Sequence, residues 1–146
     1  MDAPRNPGGA GAGPGIDLIT LIVTDYDEAI RFYTEVLGFA LADDRPATTT
    51  DGRPKRWVVL RPPRGGAGLL LAKADGPDQQ QAVGRQFAGR VGLFLRVPDF
   101  DAAYRRLLDN AVPIVRPPRD EPYGWVAVFA DIAGNHWDLL GPAGPA

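Results

Sequence analysis

The chain has 146 residues and a mass of 15.7 kDa, which suits one compact domain and excludes both a miniprotein and a multidomain protein. Sixteen basic and eighteen acidic side chains leave a formal charge of −2, so no domain-wide positive field attracts nucleic acid or an anionic membrane. The absence of cysteine excludes disulfides, thiolate nucleophiles and thiolate metal sites, and a single histidine leaves mainly oxygen ligands.

Glycine and proline dominate both ends of the chain. Residues 1–15 and 142–146 offer little apolar surface to bury, so we expect two disordered tails around a folded domain at residues 16–141. No apolar run approaches the roughly 20 residues that cross a bilayer, and residues 1–15 lack the apolar segment of a signal peptide. We therefore expect a cytoplasmic protein with neither a membrane nor a nucleic acid as partner.

Two stretches of the sequence repeat each other. The segment Val23–Arg31 matches Val97–Arg105 at five of nine positions, with a constant offset of 74. In both copies a short β-rich run enters a helix behind an aspartate, and extended segments follow. The pattern predicts two copies of one strand–helix–strand–strand–strand unit. The predicted parts are module one at residues 16–73, a linker at 74–90 and module two at 91–141.

The first predicted strand, Ile16–Val23, leads into a helix that Asp25 caps. Glu28 fits the third position of a capping box, and Gly38 fits the C-terminal end of the helix. Apolar residues at helical spacing form a stripe that faces the core, namely Tyr26, Ala29, Ile30, Tyr33 and Leu37. Three strands are predicted to follow, at Phe39–Ala42, Trp57–Leu60 and Leu69–Ala72.

Basic residues accompany these later strands of module one. They are Arg45, Arg53, Lys55, Arg56, Arg61 and Arg64. Such a run is typical either of a solvated face or of a surface that recruits an anionic ligand, and neighbouring aspartates dilute its charge.

Module two begins with the predicted strand Val91–Val97, and a helix capped by Asp99 follows. Its core-facing stripe repeats that of module one, with Phe100, Ala103, Tyr104 and Leu107. The predicted strands that complete the unit are Pro113–Val115, Trp125–Ala130 and His136–Leu140. Turn-forming residues at Asp131–Asn135 join the last two strands. The polar linker has room for one short helix.

Two motifs resemble those of a known superfamily. The segments Phe32–Phe39 (FYTEVLGF) and Asp131–Leu139 (DIAGNHWDL) resemble the vicinal oxygen chelate superfamily, which includes glyoxalase I, bleomycin resistance proteins and extradiol dioxygenases. The resemblance covers about residues 16–141. It implies an α+β fold of two tandem βαβββ modules whose curved mixed sheets surround a cleft, and it implies a homodimer.

Metal-dependent members of that superfamily place four ligands, usually His, Glu or Gln, on the first and last strands of the two modules. Carried over to this chain, the four positions hold Leu18, Leu70, Gly92 and Asp138. A protein-bound divalent ion normally needs three or more protein ligands, and only the aspartate can serve as one. We therefore expect no metal at this site and no other cofactor.

Side chains alternate along a strand, so residues in step with these positions are expected to face the cleft. They are Leu18, Thr20 and Ile22 on the first strand, Gly92, Phe94 and Arg96 on the fifth, and His136, Asp138 and Leu140 on the last. If the Asp131–Asn135 turn pairs Phe129 with Asp138, then Phe129 and Trp125 also line the cleft. In relatives, the loop that matches Arg116–Gly124 lies at the rim of the cleft, which adds Glu121 and Tyr123.

The predicted cleft is apolar and aromatic with few polar groups, which favours a planar or hydrophobic small molecule bound without a metal. Asp138 either bonds neighbouring groups or, if desolvated, acts as general base of a metal-free isomerase or lyase, with His136 as proton partner. A third hypothesis is a metal-dependent lyase or dioxygenase with a relocated site of His136, Asp138 and Glu121. The loss of three ligand positions favours the binding hypothesis.

Overall fold

The structure, a computed structural model, describes residues 11–142. Most of the two predicted tails, residues 1–10 and 143–146, lies outside this range. Module one consists of β1 (Leu18–Val23), α1 (Tyr26–Arg31), β2 (Ala40–Thr48), β3 (Pro54–Arg61) and β4 (Gly68–Lys73). The linker contains α2 (Pro77–Ala82). Module two consists of β5 (Val91–Arg96), α3 (Phe100–Asp109), β6 (Ile114–Glu121), β7 (Gly124–Ala130) and β8 (His136–Gly141).

Each module forms one four-stranded mixed sheet with the same strand order, β1-β4-β3-β2 in the first and β5-β8-β7-β6 in the second. β1 pairs with β4 and β5 pairs with β8 in parallel, whereas all other neighbouring strands are antiparallel. The predicted α+β fold of two tandem βαβββ units is confirmed. No helix within residues 11–142 is long and apolar enough to span a membrane.

Both predicted helix caps are present. The side chain of Asp25 accepts a hydrogen bond from the amide of Glu28 at 2.8 Å, and Asp99 accepts one from the amide of Ala102 at 3.1 Å. Each bond satisfies an amide that the first helical turn leaves without a partner. After α1 the chain continues as one π-helical turn, and Gly38 with φ of +81° ends it. That left-handed backbone favours glycine.

The sheet faces that the helices cover share a single core. It draws apolar side chains from both modules, among them Leu21, Leu60, Leu71, Phe129, Trp137 and Leu139. Tyr33 and Phe39 of module one join the two halves, since their ring centroids lie 6.0 and 6.3 Å from that of Trp137. Because the covered faces share this core, the uncovered faces point away from it. We call them open face one, on the sheet of module one, and open face two, on the sheet of module two.

Two strands continue well past their predicted C-terminal ends, and β3 begins at Pro54 rather than at Trp57. β2 ends at Thr48, and β6 passes through Pro117 and Pro118, where we expected a loop. β6 is an edge strand, and its register with β7 shifts around the two prolines. Proline is compatible with a bulge in an edge strand because no ladder N–H is needed there. The predicted rim loop is therefore a tight hairpin at residues 122–123.

Candidate functional site

Open face two carries two rows of side chains that the strand register defines. The first row is Phe94, Asp138, Val128 and Arg116, and the second is Arg96, Leu140, Val126 and Arg119. The valines and the leucine form an apolar centre, while Phe94 at the β5 margin is 64% exposed. Because Val126 and Val128 are only 0% and 5% exposed, the face presents to solvent mainly an aromatic ring and charged groups.

Open face one is built in the same way. Its rows are Thr20, Leu70, Val59 and Asp43, followed by Ile22, Ala72, Trp57 and Arg45. Trp57 and Val59 also belong to the face, although the sequence alone did not predict it. The alternation within β3 places Trp57 and Val59 on one side of the strand. It assigns that side to the open face only when the pairing of Val59 with Leu70 is known. Trp57 is the aromatic group of this face.

Most residues that the alternation predicts to face the cleft lie on the open faces. They are Leu18, Thr20, Ile22 and Leu70 on open face one, and Phe94, Arg96, His136, Asp138 and Leu140 on open face two. Within each strand the predicted alternation is therefore correct at these positions. The two sets lie on different sheets, and the sheets contact each other through the opposite, helix-covered faces.

Two aromatic residues predicted to line the cleft lie on the other side of the sheet. Phe129 pairs with Trp137 rather than with Asp138. Directly opposed residues share a face, so Phe129 and Trp125 lie on the helix-covered side, where their rings are 5.9 Å from Trp137 and 6.2 Å from Phe100. The predicted register is wrong by one residue, which moves a strand's whole set of side chains to the opposite face.

Gly92 also departs from the expected geometry. β5 bulges there, since the residues on either side of Gly92 pair with consecutive residues of β8. A Cβ added to Gly92 would overlap the ring of Phe87, which comes from the linker. The third of the four ligand positions is therefore covered by an aromatic ring and does not continue the alternation of β5.

The donor set does not fit a metal ion. Three of the four positions carry no donor side chain, and within the described residues no three His, Asp or Glu side chains come together. Glu121 therefore does not join His136 and Asp138 in the relocated site of the third hypothesis. Its carboxylate instead lies 3.9 Å from the guanidinium of Arg119, and the neighbouring Tyr123 is 62% exposed at the β6–β7 hairpin.

Asp138 is the acidic group of the apolar centre. Burial raises the pKa of its carboxyl above the ordinary value of 3.8, and the positive charges of Arg119 and Arg116 oppose that shift. His136 lies two residues away on the same face, at about 7 Å along the strand. A carboxyl with a raised pKa holds its proton to a higher pH, which is a shift in the direction that suits a general acid or base.

The basic residues of module one are mostly engaged in ion pairs. Four of the six pair with aspartates, as Arg45–Asp43, Arg53–Asp75, Arg56–Asp44 and Arg61–Asp17. The arrangement favours the solvated face among the two interpretations of this run, because its positive charge is already balanced.

The outer edges of β1 and β5 differ. The side-chain amide of Gln86 donates to the Thr20 carbonyl and accepts from the Ile22 amide, both at 2.9 Å, so it replaces a neighbouring strand along β1. The equivalent positions on β5, at the offset of 74, are Phe94 and Arg96. Within residues 11–142 nothing caps that edge. β5 therefore presents free backbone groups beside open face two.

A cavity of about 910 Å³ lies between the two modules. Its walls come mainly from the helix-covered sides, including Ile19, Phe39, Leu69, Leu107, Trp137 and Leu139, and the margin of β5 also borders it. Neither His136 nor Asp138 lines it. Phe94 and Arg96 also line it, so this apolar space at the shared core reaches the β5 margin of open face two.

Most of the chain is similar to known proteins. Residues 15–139 match the sequence model of the Glyoxalase/Bleomycin resistance protein/Dioxygenase superfamily. An uncharacterized protein of Shewanella frigidimarina (strain NCIMB 400) is 49% identical over 123 residues, which cover 84% of this chain and 89% of the relative.

Solved structures show the same architecture. TnmS3, an antibiotic binding protein from Streptomyces sp. CB03234, has a TM-score of 0.68 at 29% identity and covers 91% of this chain and 99% of its own. A glyoxalase/bleomycin resistance protein from the same Streptomyces strain has a TM-score of 0.64 at 29% identity, with coverage of 86% and 99%. Both modules therefore have counterparts in these proteins.

Proposed function

Because the chain belongs to the Glyoxalase/Bleomycin resistance protein/Dioxygenase superfamily, we propose that it binds an aromatic or otherwise hydrophobic small molecule on its open faces without a metal ion. The observation that carries the proposal is open face two, where the ring of Phe94 is 64% exposed on the strand that pairs with the half-buried Leu140. Such a surface gains free energy by shedding water and stacks with planar ligands. The donor-poor ligand positions and the likeness to an antibiotic binding protein support it.

One open face supplies only one wall of a binding site. Small-molecule sites typically enclose about 70–90% of their ligand's surface, which an uncovered sheet cannot do. The two open faces of a chain lie on opposite sides of the shared core. We therefore propose a cytoplasmic homodimer in which open face one of each chain closes over open face two of its partner. The uncapped β5 edge supports a contact along that strand.

Tryptophan emission tests the binding proposal and locates the ligand, because Trp57 lies on open face one whereas Trp137 lines the core cavity. The protein is titrated with a panel of polycyclic aromatic natural products. We expect quenching that Trp57→Phe removes, together with thermal stabilisation equivalent to about 2.7 kcal/mol at a hundredfold excess over Kd.

Quenching that persists in Trp57→Phe would place the ligand in the core cavity and contradict the proposed location. Uniform absence of quenching and of thermal stabilisation across the panel would contradict the binding function itself.

Sedimentation velocity tests the assembly. We expect a dimer at the concentrations of the titrations, and Phe94→Asp should yield monomers because it buries a charge in the contact along β5. Gln81→Leu, on an exposed residue of α2, is the matched control and should remain dimeric. A monomeric wild-type protein would contradict the proposed pairing of the open faces.

A second candidate function is a metal-free isomerase or lyase that uses Asp138 as general base and His136 as proton partner. The raised pKa of Asp138, caused by burial, favours it. Once a compound that binds has been found, its conversion is followed by mass spectrometry. We expect Asp138→Asn to abolish any turnover and to leave binding nearly unchanged. An equal rate in Asp138→Asn would exclude this role.

A further inference from the structure

We infer that the cavity between the two modules is a second binding site, which takes a medium-chain aliphatic compound with an anionic headgroup such as a carboxylate. Most of its lining belongs to the helix-covered sides of the sheets, so the inference goes beyond the proposed function of the open faces. The cavity volume of about 910 Å³ lies within the range of about 300–1,000 Å³ that is typical of small-molecule sites.

The internal repeat shows that module two lacks part of the cover that module one has. Leu21 and Val23 of β1 are 0% and 1% exposed. Their counterparts on β5 at the offset of 74, Leu95 and Val97, are half-buried and line the cavity. Apolar surface that stays in contact with water is a source of binding free energy, because a ligand that covers it releases that water.

The accessible lining of the cavity is mainly aliphatic. Half-buried aliphatic side chains border it, among them Ile19, Val36, Leu37, Leu95, Val97 and Ala103. The aromatic residues Phe39 and Trp137 also border it but are only 7% and 2% exposed, so they offer little surface for stacking. The exposed ring of Phe94 lies at the margin. Such a lining favours a flexible hydrocarbon chain over a planar ring system.

The extent of the cavity also suits a chain. Every residue from Gly92 to Arg96 in β5, and Val97 after it, borders the cavity. Six residues of a strand span about 16 Å. A medium-chain acyl group in extended form covers most of that length, whereas a compact ring system leaves part of the aliphatic wall in contact with water.

The charged residues at the border of the cavity favour an anionic headgroup. Among its described lining residues, Arg64, Arg96 and Arg106 are exposed cations. Asp99 is the single carboxylate of that lining, and it already caps α3. The guanidinium of Arg106 reaches across to module one, since its Nη1 lies 3.6 Å from the position that a Cβ would take at Gly38. An exposed guanidinium matches a carboxylate in charge and in planar geometry.

Two probes with the same chain and opposite headgroups test the inference. The protein is titrated by calorimetry with decanoate and with decyltrimethylammonium. We expect decanoate to bind at least about tenfold more tightly, as a charge-assisted contact with an arginine predicts. In methyl-labelled wild-type protein, decanoate should shift the NMR signals of Leu37, Leu95 and Val97 and leave those of Leu18 and Ile22 on open face one unchanged.

Two variants with matched controls test the two parts of the ligand. Ala103→Leu fills part of the cavity and should weaken decanoate binding at least about tenfold. Ala82→Leu alters a half-buried alanine of α2 that does not line the cavity, so it should bind as the wild-type protein does. Arg106→Gln should remove most of the preference for decanoate. Arg105→Gln removes the same charge from an exposed neighbour outside the lining and should retain the preference.

Circular dichroism verifies that the variants fold, and the methyl shifts of the wild-type protein decide the matter if Ala103→Leu does not. Absence of decanoate binding, or shifts confined to Leu18 and Ile22, overturns the inference and leaves the binding of aromatic compounds to the open faces as a separate question. Equal affinity for both probes overturns the assignment of an anionic headgroup. If decanoate dissociates the dimer in sedimentation velocity, the cavity belongs to the subunit contact and the inference is wrong.

Discussion

The phenol of Tyr33 donates a hydrogen bond of 2.6 Å to Oδ2 of Asp131, across 98 residues of sequence. The indole of Trp137 donates to the same oxygen at 2.8 Å, and the amides of Gly134 and Asn135 donate to Oδ1 at 2.9 Å. The carboxylate is 5% exposed, and these donors compensate its burial. The bond from Tyr33 ties the helical segment of module one to the last turn of module two, which holds the open faces on opposite sides.

Removal of this phenol should weaken the connection between the modules. We expect Tyr33→Phe to lower the free energy of unfolding by about 1.5–3 kcal/mol, because a hydrogen bond to a buried carboxylate is lost. Urea denaturation measures the change. Tyr104→Phe is the matched control, since that residue stacks on Phe100 with a centroid distance of 5.9 Å and its hydroxyl bonds none of the described residues. Equal losses in both variants would contradict the assigned role of Tyr33.

The same phenol makes stability depend on alkaline pH. Burial first, and then the charge of Asp131, hold the pKa of Tyr33 well above its ordinary value of 10.0. The unfolded chain therefore releases this proton at a lower pH than the folded protein does. Its contribution is complete below about pH 10 and is lost as the pH rises toward the folded-state pKa.

Denaturation at about pH 9 and about pH 11 tests this sign. Between the two, the wild-type protein should lose more free energy of unfolding than Tyr33→Phe does. The same loss in both proteins would show that the phenol is not protected from ionisation in the folded state.

Gln86 should protect the backbone of β1. We expect Gln86→Leu to lower the free energy of unfolding by about 1 kcal/mol, since two hydrogen bonds to a partly exposed strand edge are lost. Hydrogen exchange should become faster at the amide of Ile22, whereas Gln81→Leu should change neither quantity. Unchanged protection of Ile22 would mean that water or another group caps this edge.

The proposed dimer predicts complementation between two defective chains. Trp57 and Phe94 lie on different open faces, so each site takes one of them from each chain. When Trp57→Ala and Phe94→Ala chains are mixed and exchange at random, half of the dimers contain one intact site. We expect the mixture to recover about a quarter of the wild-type sites in a calorimetric titration, although neither variant binds alone. No recovery after verified subunit exchange would favour a site within one chain.

Much of the architecture can be predicted from the repeat at an offset of 74. The repeat predicts both modules, the helix caps at Asp25 and Asp99, and the alternation of side chains in β1, β5 and β8. These features are predictable because helix starts and strand periodicity depend on neighbouring residues in the sequence. The helix-covered and open sides of these strands follow from the position of apolar residues alone.

Properties that depend on pairing between strands are less accessible. The misplaced Phe129 shows this, because a turn of five residues fits more than one register and the buried carboxylate of Asp131 selects the one observed. The continuation of β6 beyond Val115 escaped prediction, because Pro117 and Pro118 are typical of a loop until the edge position of the strand is known. Trp57 escaped because its face depends on the neighbour of β3.

The ring of Phe87 over Gly92 constrains how this lineage can acquire metal chemistry by mutation. A histidine introduced at residue 92 alone meets the ring and destabilises the linker before it can coordinate anything. The route therefore needs at least two changes in a set order, first a smaller side chain at residue 87 and then the ligand at residue 92. Since the first step costs packing and brings no new donor, selection for stability works against it. The covered glycine therefore excludes a ligand side chain at residue 92 as long as residue 87 is a phenylalanine.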